Sequence, residues 1–149
     1  MLSKKAQYAL YALVHLARTY DHGPVLIKDI AEAEKLPRKF LETILLELRT
    51  QGILASKKGK GGGYMLRRDP SDVNMAEIIR LFDGAIALLP CATYRYYEQC
   101  AHCKDESRCA IKSYVKDVRD ETVKMMKGIS LKDILERENW LLSHPSETI

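Results

Sequence analysis

A chain of 149 residues, 30% of them charged and with a formal net charge of +4, can bury one real core without disulfide or metal staples, so one domain or a little more is expected. The charge is unevenly spread. Residues 1–68 carry 13 Lys and Arg against 6 Asp and Glu, a net of +7, and residues 69–149 carry 11 against 14, a net of −3. A basic front half is the electrostatic footprint of a nucleic-acid reader. No run reads as a signal peptide, and the apolar stretch from Ala9 to Ala17 falls well short of the roughly 20 residues of a membrane span. A cytoplasmic protein is expected, and there four cysteines suggest metal or redox chemistry rather than disulfides.

Taken in chain order, Ser3 is placed to cap a first helix reaching about Tyr20, with Ala6, Leu10, Leu13 and Ala17 on one face. Asp21-His22-Gly23-Pro24 ends it. A short helix is expected from about Lys28 to Glu34, followed by the turn Lys35-Leu36. A third helix then runs from Pro37 to about Gln51, burying Leu41, Ile44, Leu45 and Leu48. A longer helix followed by two shorter ones about a tight turn is the tri-helical helix-turn-helix pattern.

Two β-prone runs, Ile53 to Ser56 and Tyr64 to Leu66, flank the tip Lys57-Lys58-Gly59-Lys60-Gly61-Gly62-Gly63 and read as the wing of a winged helix. The tip is not a nucleotide loop, because no Gly-Lys-Ser/Thr leads into a helix. After a turn at Asp69 to Asp72, Asn74 caps another helix, with Glu77 expected as its capping-box partner. Gly84 closes that helix.

Cys91, Cys100, Cys103 and Cys109 then fall within nineteen residues, with His102 among them. The spacing C-x8-C-x2-C-x5-C lets one loop wrap one centre, and it lacks the two separated ligand pairs of a zinc finger or ribbon. Thiolates favour iron–sulfur clusters and zinc, and spacing alone leaves both open beside a thiol redox switch.

Beyond Cys109 comes a long amphipathic helix with Ile111, Val115, Val118, Thr122, Met125 and Met126 on its apolar stripe, and Asp117, Arg119, Asp120 and Lys124 as its charged flank. Too little chain remains to cover that stripe, so a second subunit is expected to do so. Ser130 and Asp133 start a short last helix toward Glu138, and the tail from Ser143 is expected to be loose.

The fold class is therefore mainly α with one small β-hairpin. A winged helix-turn-helix domain over 1–84 is followed by a cysteine-rich loop over 85–110. Residues 111–138 form the dimerisation helix and the short helix after it, and 139–149 a tail. In such a fold Arg38, Lys39, Glu42 and Thr43, on the first turns of the third helix, can meet base edges in a major groove. Lys57, Lys58 and Lys60 on the wing, and Lys28, suit phosphates. No paired carboxylates and no Ser/His/Asp order suggest an enzyme.

The opening SKKAQYALYAL, the helix ending LRTQGIL, the wing GKGGGYML and the closing RLFDG together resemble the winged-helix transcription regulators of IscR, NsrR, RirA and CymR type, the Rrf-two family. The resemblance covers roughly residues 1–135 and implies a dimeric regulator of double-stranded DNA, binding a palindromic operator, whose long C-terminal helix crosses its partner. Its iron–sulfur branch holds a cluster on three cysteines, which correspond to Cys91, Cys103 and Cys109 here. Cys100 is a departure and becomes the expected fourth ligand, with His102 as the alternative. The position matching an acidic ligand on the first helix is Gln7, a poor ligand. Lys58 stands where the family often has an arginine that enters the minor groove. The resemblance favours a cluster over zinc, a 2Fe-2S centre being preferred to a 4Fe-4S one. Such a cluster would act by ordering the loop and so setting the spacing of the two recognition helices.

Overall fold

The computed structural model describes residues 1–145. Six helices are α1 (Lys4–Arg18), α2 (Ile27–Ala33), α3 (Arg38–Thr50), α4 (Met75–Asp83), α5 (Ala110–Lys127) and α6 (Leu131–Ser143). Two antiparallel strands, β1 (Leu54–Lys57) and β2 (Gly63–Leu66), form the hairpin between α3 and α4, with Leu54 opposite Leu66 and Lys57 opposite Gly63. The expected mainly helical winged helix is what the chain forms.

The core is organised on α1, which packs against α3, α4, α6 and β2. Its inward face is built from small residues, Ala6, Ala9, Ala12 and Ala17, with Leu13 and Leu16 between them, all buried. Short side chains let four neighbouring elements approach one helix closely. Ser3 caps α1 as expected, its side chain accepting from the Ala6 N–H at 3.1 Å. Leu41, Ile44, Leu45 and Leu48 of α3 are fully buried, as the periodicity requires. Pro37 stands just outside α3 as its N-cap residue rather than in its first turn.

The wing is fixed at its base and its middle. Ile53, Leu54 and Leu66 enter the core. Val25 and Tyr64 exchange two backbone hydrogen bonds of 2.8 Å, adding a third chain segment to the hairpin. This close approach requires glycine at 63, where φ is +139° and an added Cβ would meet the Val25 carbonyl oxygen at 2.2 Å.

Two expectations are corrected here. Asn74 caps α4 by accepting from the Glu77 N–H at 3.0 Å, but the Glu77 carboxylate does not complete a capping box. It accepts from Arg68 instead, at 2.6 and 3.2 Å, because Arg68 comes off β2 alongside and offers a charged fork. The reciprocal box forms at Ser130 and Asp133. The last helix also outruns Glu138, since Trp140, Leu141 and Leu142 continue α6 to Ser143. Residues 146–149 of the expected tail lie outside the described residues.

The C-terminal segment is stitched to the winged helix. The Met75 N–H donates to the Ile129 carbonyl at 2.9 Å and the Leu131 N–H to that of Val73 at 3.0 Å. Leu131 is fully buried in the main core. Arg18 of α1 bridges Glu34 at 2.8 Å and Glu138 of α6 at 2.5 and 2.9 Å. His15 joins the same network through a 2.9 Å contact between Nδ1 and Glu34, a structural role.

Candidate nucleic-acid interface and cysteine loop

The start of α3 carries Arg38, Lys39, Glu42 and Thr43, all exposed. Arg38 and Glu42 lie one turn apart with their charged atoms at 3.3 Å, an exposed pair that costs little to separate. The Thr43 hydroxyl donates to the Lys39 carbonyl at 3.2 Å, which leaves its methyl and its second lone pair outward. Lys57, Lys58 and Lys60 are exposed on the hairpin tip.

Between α2, α3 and the wing lies a groove of about 520 Å³ lined by Lys28, Arg38, Lys57 and Lys58. Side chains separated by thirty residues of sequence therefore share one basic surface. Lys39, Glu42, Thr43 and Lys60 are not among the residues lining it. Arg49 also lines the groove, held by a 3.1 Å hydrogen bond to the Ser56 hydroxyl of β1. The sequence reading missed Arg49. Its signal was present, because eleven residues after Arg38 is three turns of helix and hence the same face.

The cysteine loop begins at a 3₁₀ turn over Pro90–Ala92 that buries Cys91 and Ala92. It is clamped there by Arg119 of α5. The Arg119 guanidinium donates to the Ala92 carbonyl, to the Tyr94 hydroxyl at 2.7 Å and to Asp120 at 2.8 Å, and it stacks over the Tyr94 ring at 3.8 Å. Only 5% of Arg119 is exposed, so this member of the expected charged flank of α5 faces the protein rather than water. The backbone carbonyl and phenol supplied by the loop satisfy a guanidinium that periodicity alone assigns to water.

The loop ends at Cys109, which is the N-cap residue of α5 and whose Sγ accepts from the Lys112 N–H at 3.4 Å. That backbone donor, followed by the Cys103 thiol, holds the Cys109 thiol below its usual range. Cys103 moves the other way, raised by its interaction with Cys109, then by burial and by Cys100. Cys103 is thus the meeting point of three thiols. Between them runs a second tether, in which Glu106 accepts from Lys112 at 2.6 Å and from the Tyr97 hydroxyl. Lys112 holds Glu106 below the usual carboxylate range, with Tyr97 adding to the effect.

The structure therefore brings Cys100, Cys103 and Cys109 together, keeps Cys91 buried at the loop's entry and leaves His102 exposed. Among the described residues, no three or more His, Cys, Asp or Glu side chains close into a metal-ligand shell. The donor chemistry nevertheless fits a thiolate-ligated centre: three thiols interact within one loop, and one of them is made acidic by a helix terminus.

On α5, Ile111, Val118 and Met125 are 68, 50 and 71% exposed, whereas Val115, Thr122 and Met126 are half-buried. Tyr114 is 74% exposed beside them and was not anticipated. No helix among the described residues is long and apolar enough to cross a membrane.

A model of the family described as Rrf2, iron-dependent transcriptional regulator, matches residues 2–137. An rrf2-like HTH-type transcriptional regulator of Rhodobacter capsulatus is 38% identical over 142 residues, spanning 93% of this chain and 95% of that protein. Among solved structures, CymR, the global cysteine regulator of B. subtilis, superposes with a TM-score of 0.77 at 26% identity, over 92% of this chain and 97% of CymR. IscR of T. potens does so with a TM-score of 0.73 at 28% identity, over 93% and 88%. The relatives are named as regulators of transcription and not as enzymes. With its winged helix, its basic groove and a family match along nearly the whole chain, this protein belongs to the Rrf2 family and is a DNA-binding transcriptional regulator.

Proposed function

We propose that the protein is a homodimer whose binding to a palindromic operator is modulated by an iron–sulfur cluster, 2Fe-2S in preference to 4Fe-4S, on Cys91, Cys103, Cys109 and Cys100. The observation that carries this reading is the position of Cys109, at once a member of the interacting thiols and the N-cap of α5. Any change at the thiols acts on the first turn of the helix that carries the exposed stripe Ile111, Val118 and Met125. The relatives named IscR support the choice of cluster over zinc. Cys100 is preferred to His102 as fourth ligand because it already interacts with Cys103 while His102 is exposed.

When bound, a cluster supplies a centre whose occupancy or oxidation state follows iron supply and redox poise. The chain's own residues do the rest. Cys91, Cys100, Cys103 and Cys109 would hold the cluster as thiolates, and Glu106 and Tyr97 hold the intervening loop against Lys112. Arg119 keeps the entry of the loop on α5. With the thiols unligated, the loop would be ordered by its own hydrogen bonds and by the Arg119 and Glu106 tethers. It would lack the cross-link that ties Cys91, Cys100 and Cys103 to the first turn of α5, so the angle of α5 would be held less firmly. In a dimer paired along α5, that angle sets the separation of the two α3 helices, which must match half-sites about one helical turn apart.

On the DNA, Arg38, Lys39, Glu42 and Thr43 serve the major groove, and Lys28, Arg49, Lys57, Lys58 and Lys60 serve the phosphates. Anaerobic purification with iron and sulfide counts tests the cluster, and operator binding by fluorescence anisotropy tests its effect. The reading expects a coloured protein whose operator affinity changes when all four cysteines are replaced by alanine. A colourless, zinc-containing protein, or a metal-free one with reversible disulfides, would instead support the same fold acting through a zinc site or a thiol switch. Equal affinity for holo, apo and four-alanine proteins would end the switch idea.

A further inference from the structure

We infer that the cavity beside the entry of the cysteine loop is a binding site for a small organic anion, separate from both the DNA face and the thiols. Its volume is about 320 Å³, and its lining includes the guanidinium-bearing residues Arg80, Arg95 and Arg119 and the phenols Tyr94 and Tyr96. Two of these arginines, Arg80 and Arg95, are exposed, in a half of the chain (residues 69–149) that carries a net of −3, while the Arg119 guanidinium is engaged by Ala92, Tyr94 and Asp120. Asp120 pairs with Arg119 at 2.8 Å and leaves Arg80 and Arg95 unanswered among the described residues. Like Arg67 and Arg137, these two form no ion pair among the described residues, but of the four they alone share a cavity. Unpaired guanidiniums that share a concavity with a buried third one make a field that concentrates anions and offers planar forks for carboxylate or phosphate oxygens.

The walls add shape. Ile86 and Val123 supply an apolar surface. The chain reverses at Gly84, where φ is +78° and an added Cβ would stand 3.9 Å from the Tyr96 ring. Half of the cavity is thus suited to carbon and half to oxyanions. The ligand class is a small, multiply charged metabolite-sized anion bearing carboxylate, phosphate ester or both. A volume of this size lies at the lower end of small-molecule sites. Because Tyr94 and Arg119 also clamp the backbone one residue after Cys91, an anion bound here would bear on the same loop entry.

The test is calorimetric titration of the full chain with citrate, phosphoenolpyruvate and inorganic phosphate at constant ionic strength, with Arg80→Ala, Arg95→Ala and Lys58→Ala beside the wild type. Arg80 and Arg95 are exposed, so their variants should fold, and circular dichroism checks this. The inference expects saturable binding of citrate or phosphoenolpyruvate with a dissociation constant below about 1 mM. It expects at least a tenfold loss in each of the two cavity variants and no change in the Lys58 variant. Citrate alone would identify a carboxylate site, and phosphoenolpyruvate alone a site for phosphate esters. Absence of saturation by every probe overturns the inference, as does binding that Arg80→Ala and Arg95→Ala leave intact. If those variants instead weaken self-association in sedimentation velocity while no probe binds, the cavity is a subunit contact and the inference is equally overturned.

Discussion

Arg119 of α5 and Ala92 of the cysteine loop are joined by a hydrogen bond from the guanidinium to the main-chain carbonyl, across 27 residues of sequence and in a nearly water-free position. Ala92 is fully buried, so its carbonyl has no water to fall back on. This single contact connects the residue after Cys91 to the middle of the longest helix.

Removal of that side chain is expected to be expensive. Arg119→Ala strands the buried Ala92 carbonyl and should cost about 1.5–3 kcal/mol, the range for hydrogen bonds to charged groups; the Tyr94 hydroxyl keeps Asp120 as a partner at 3.2 Å. Arg119→Lys should recover only part, because an ammonium cannot make the fork or stack on Tyr94 in the same way. Urea denaturation gives the energies. Limited proteolysis should show faster cutting between residues 92 and 99 in the alanine variant.

Two of the four glycines of the wing, Gly59 and Gly63, separate backbone strain from steric exclusion. Gly59 has a φ of +90° but open space around its added Cβ, so Gly59→Ala should cost only about 1–2 kcal/mol. Gly63→Ala adds a clash with the Val25 carbonyl and should break the Val25–Tyr64 bridge, costing more than Gly59→Ala and weakening operator binding severalfold. Equal unfolding midpoints for the two variants would contradict this account.

Base contacts and phosphate contacts should respond differently to salt. Lys58→Ala and Arg49→Ala are each expected to lower the slope of log K against log salt by about 1, with little change in sequence preference. Arg38→Ala should cost about 1–3 kcal/mol on the preferred operator and relax discrimination at one base pair. Anisotropy titrations at several salt concentrations, on specific and scrambled DNA, distinguish these outcomes.

Charge placed on the exposed stripe of α5 should separate subunits without unfolding them. Val118 and Met125 are half or more exposed, so Val118→Glu and Met125→Glu should leave the unfolding midpoint of the monomer nearly unchanged. Sedimentation velocity at micromolar protein should show self-association weakened at least tenfold, and operator affinity should fall with it.

The docking of α6 should depend on pH in a defined direction. Hydrogen bonding and charge from Arg18 hold the Glu138 carboxyl below its ordinary value of 4.5. A depressed carboxyl contributes stability that is fully present above its unfolded-state value and is lost as pH falls through the folded-state one. Glu138→Gln should therefore lower stability at pH 7 by less than about 1 kcal/mol, since the pair is a third exposed. The difference from wild type should vanish in acid, which denaturation series between pH 7 and pH 3 would show.

Much of this protein was determined by its sequence alone. The caps at Ser3 and Asn74, the stripe of α3, the basic hairpin tip and the gathering of cysteines before a long helix are local signals. They act over three or four residues or through spacing along one loop, so they are legible without knowing what packs on what. The charge division and the family motifs belong to the same level. Tertiary structure alone decided the partners. The fork of Arg68 took Glu77 away from its cap, and Arg49 joined the wing's lysines through Ser56. Cys100 interacts with Cys103, while His102 is exposed. Arg119, polar by type and assigned to solvent by periodicity, was buried because the loop brought a carbonyl and a phenol to it from more than twenty residues away. A polar side chain is buried only where its hydrogen bonds can be met, and which distant groups will meet them is fixed by packing, not by the neighbours in the chain.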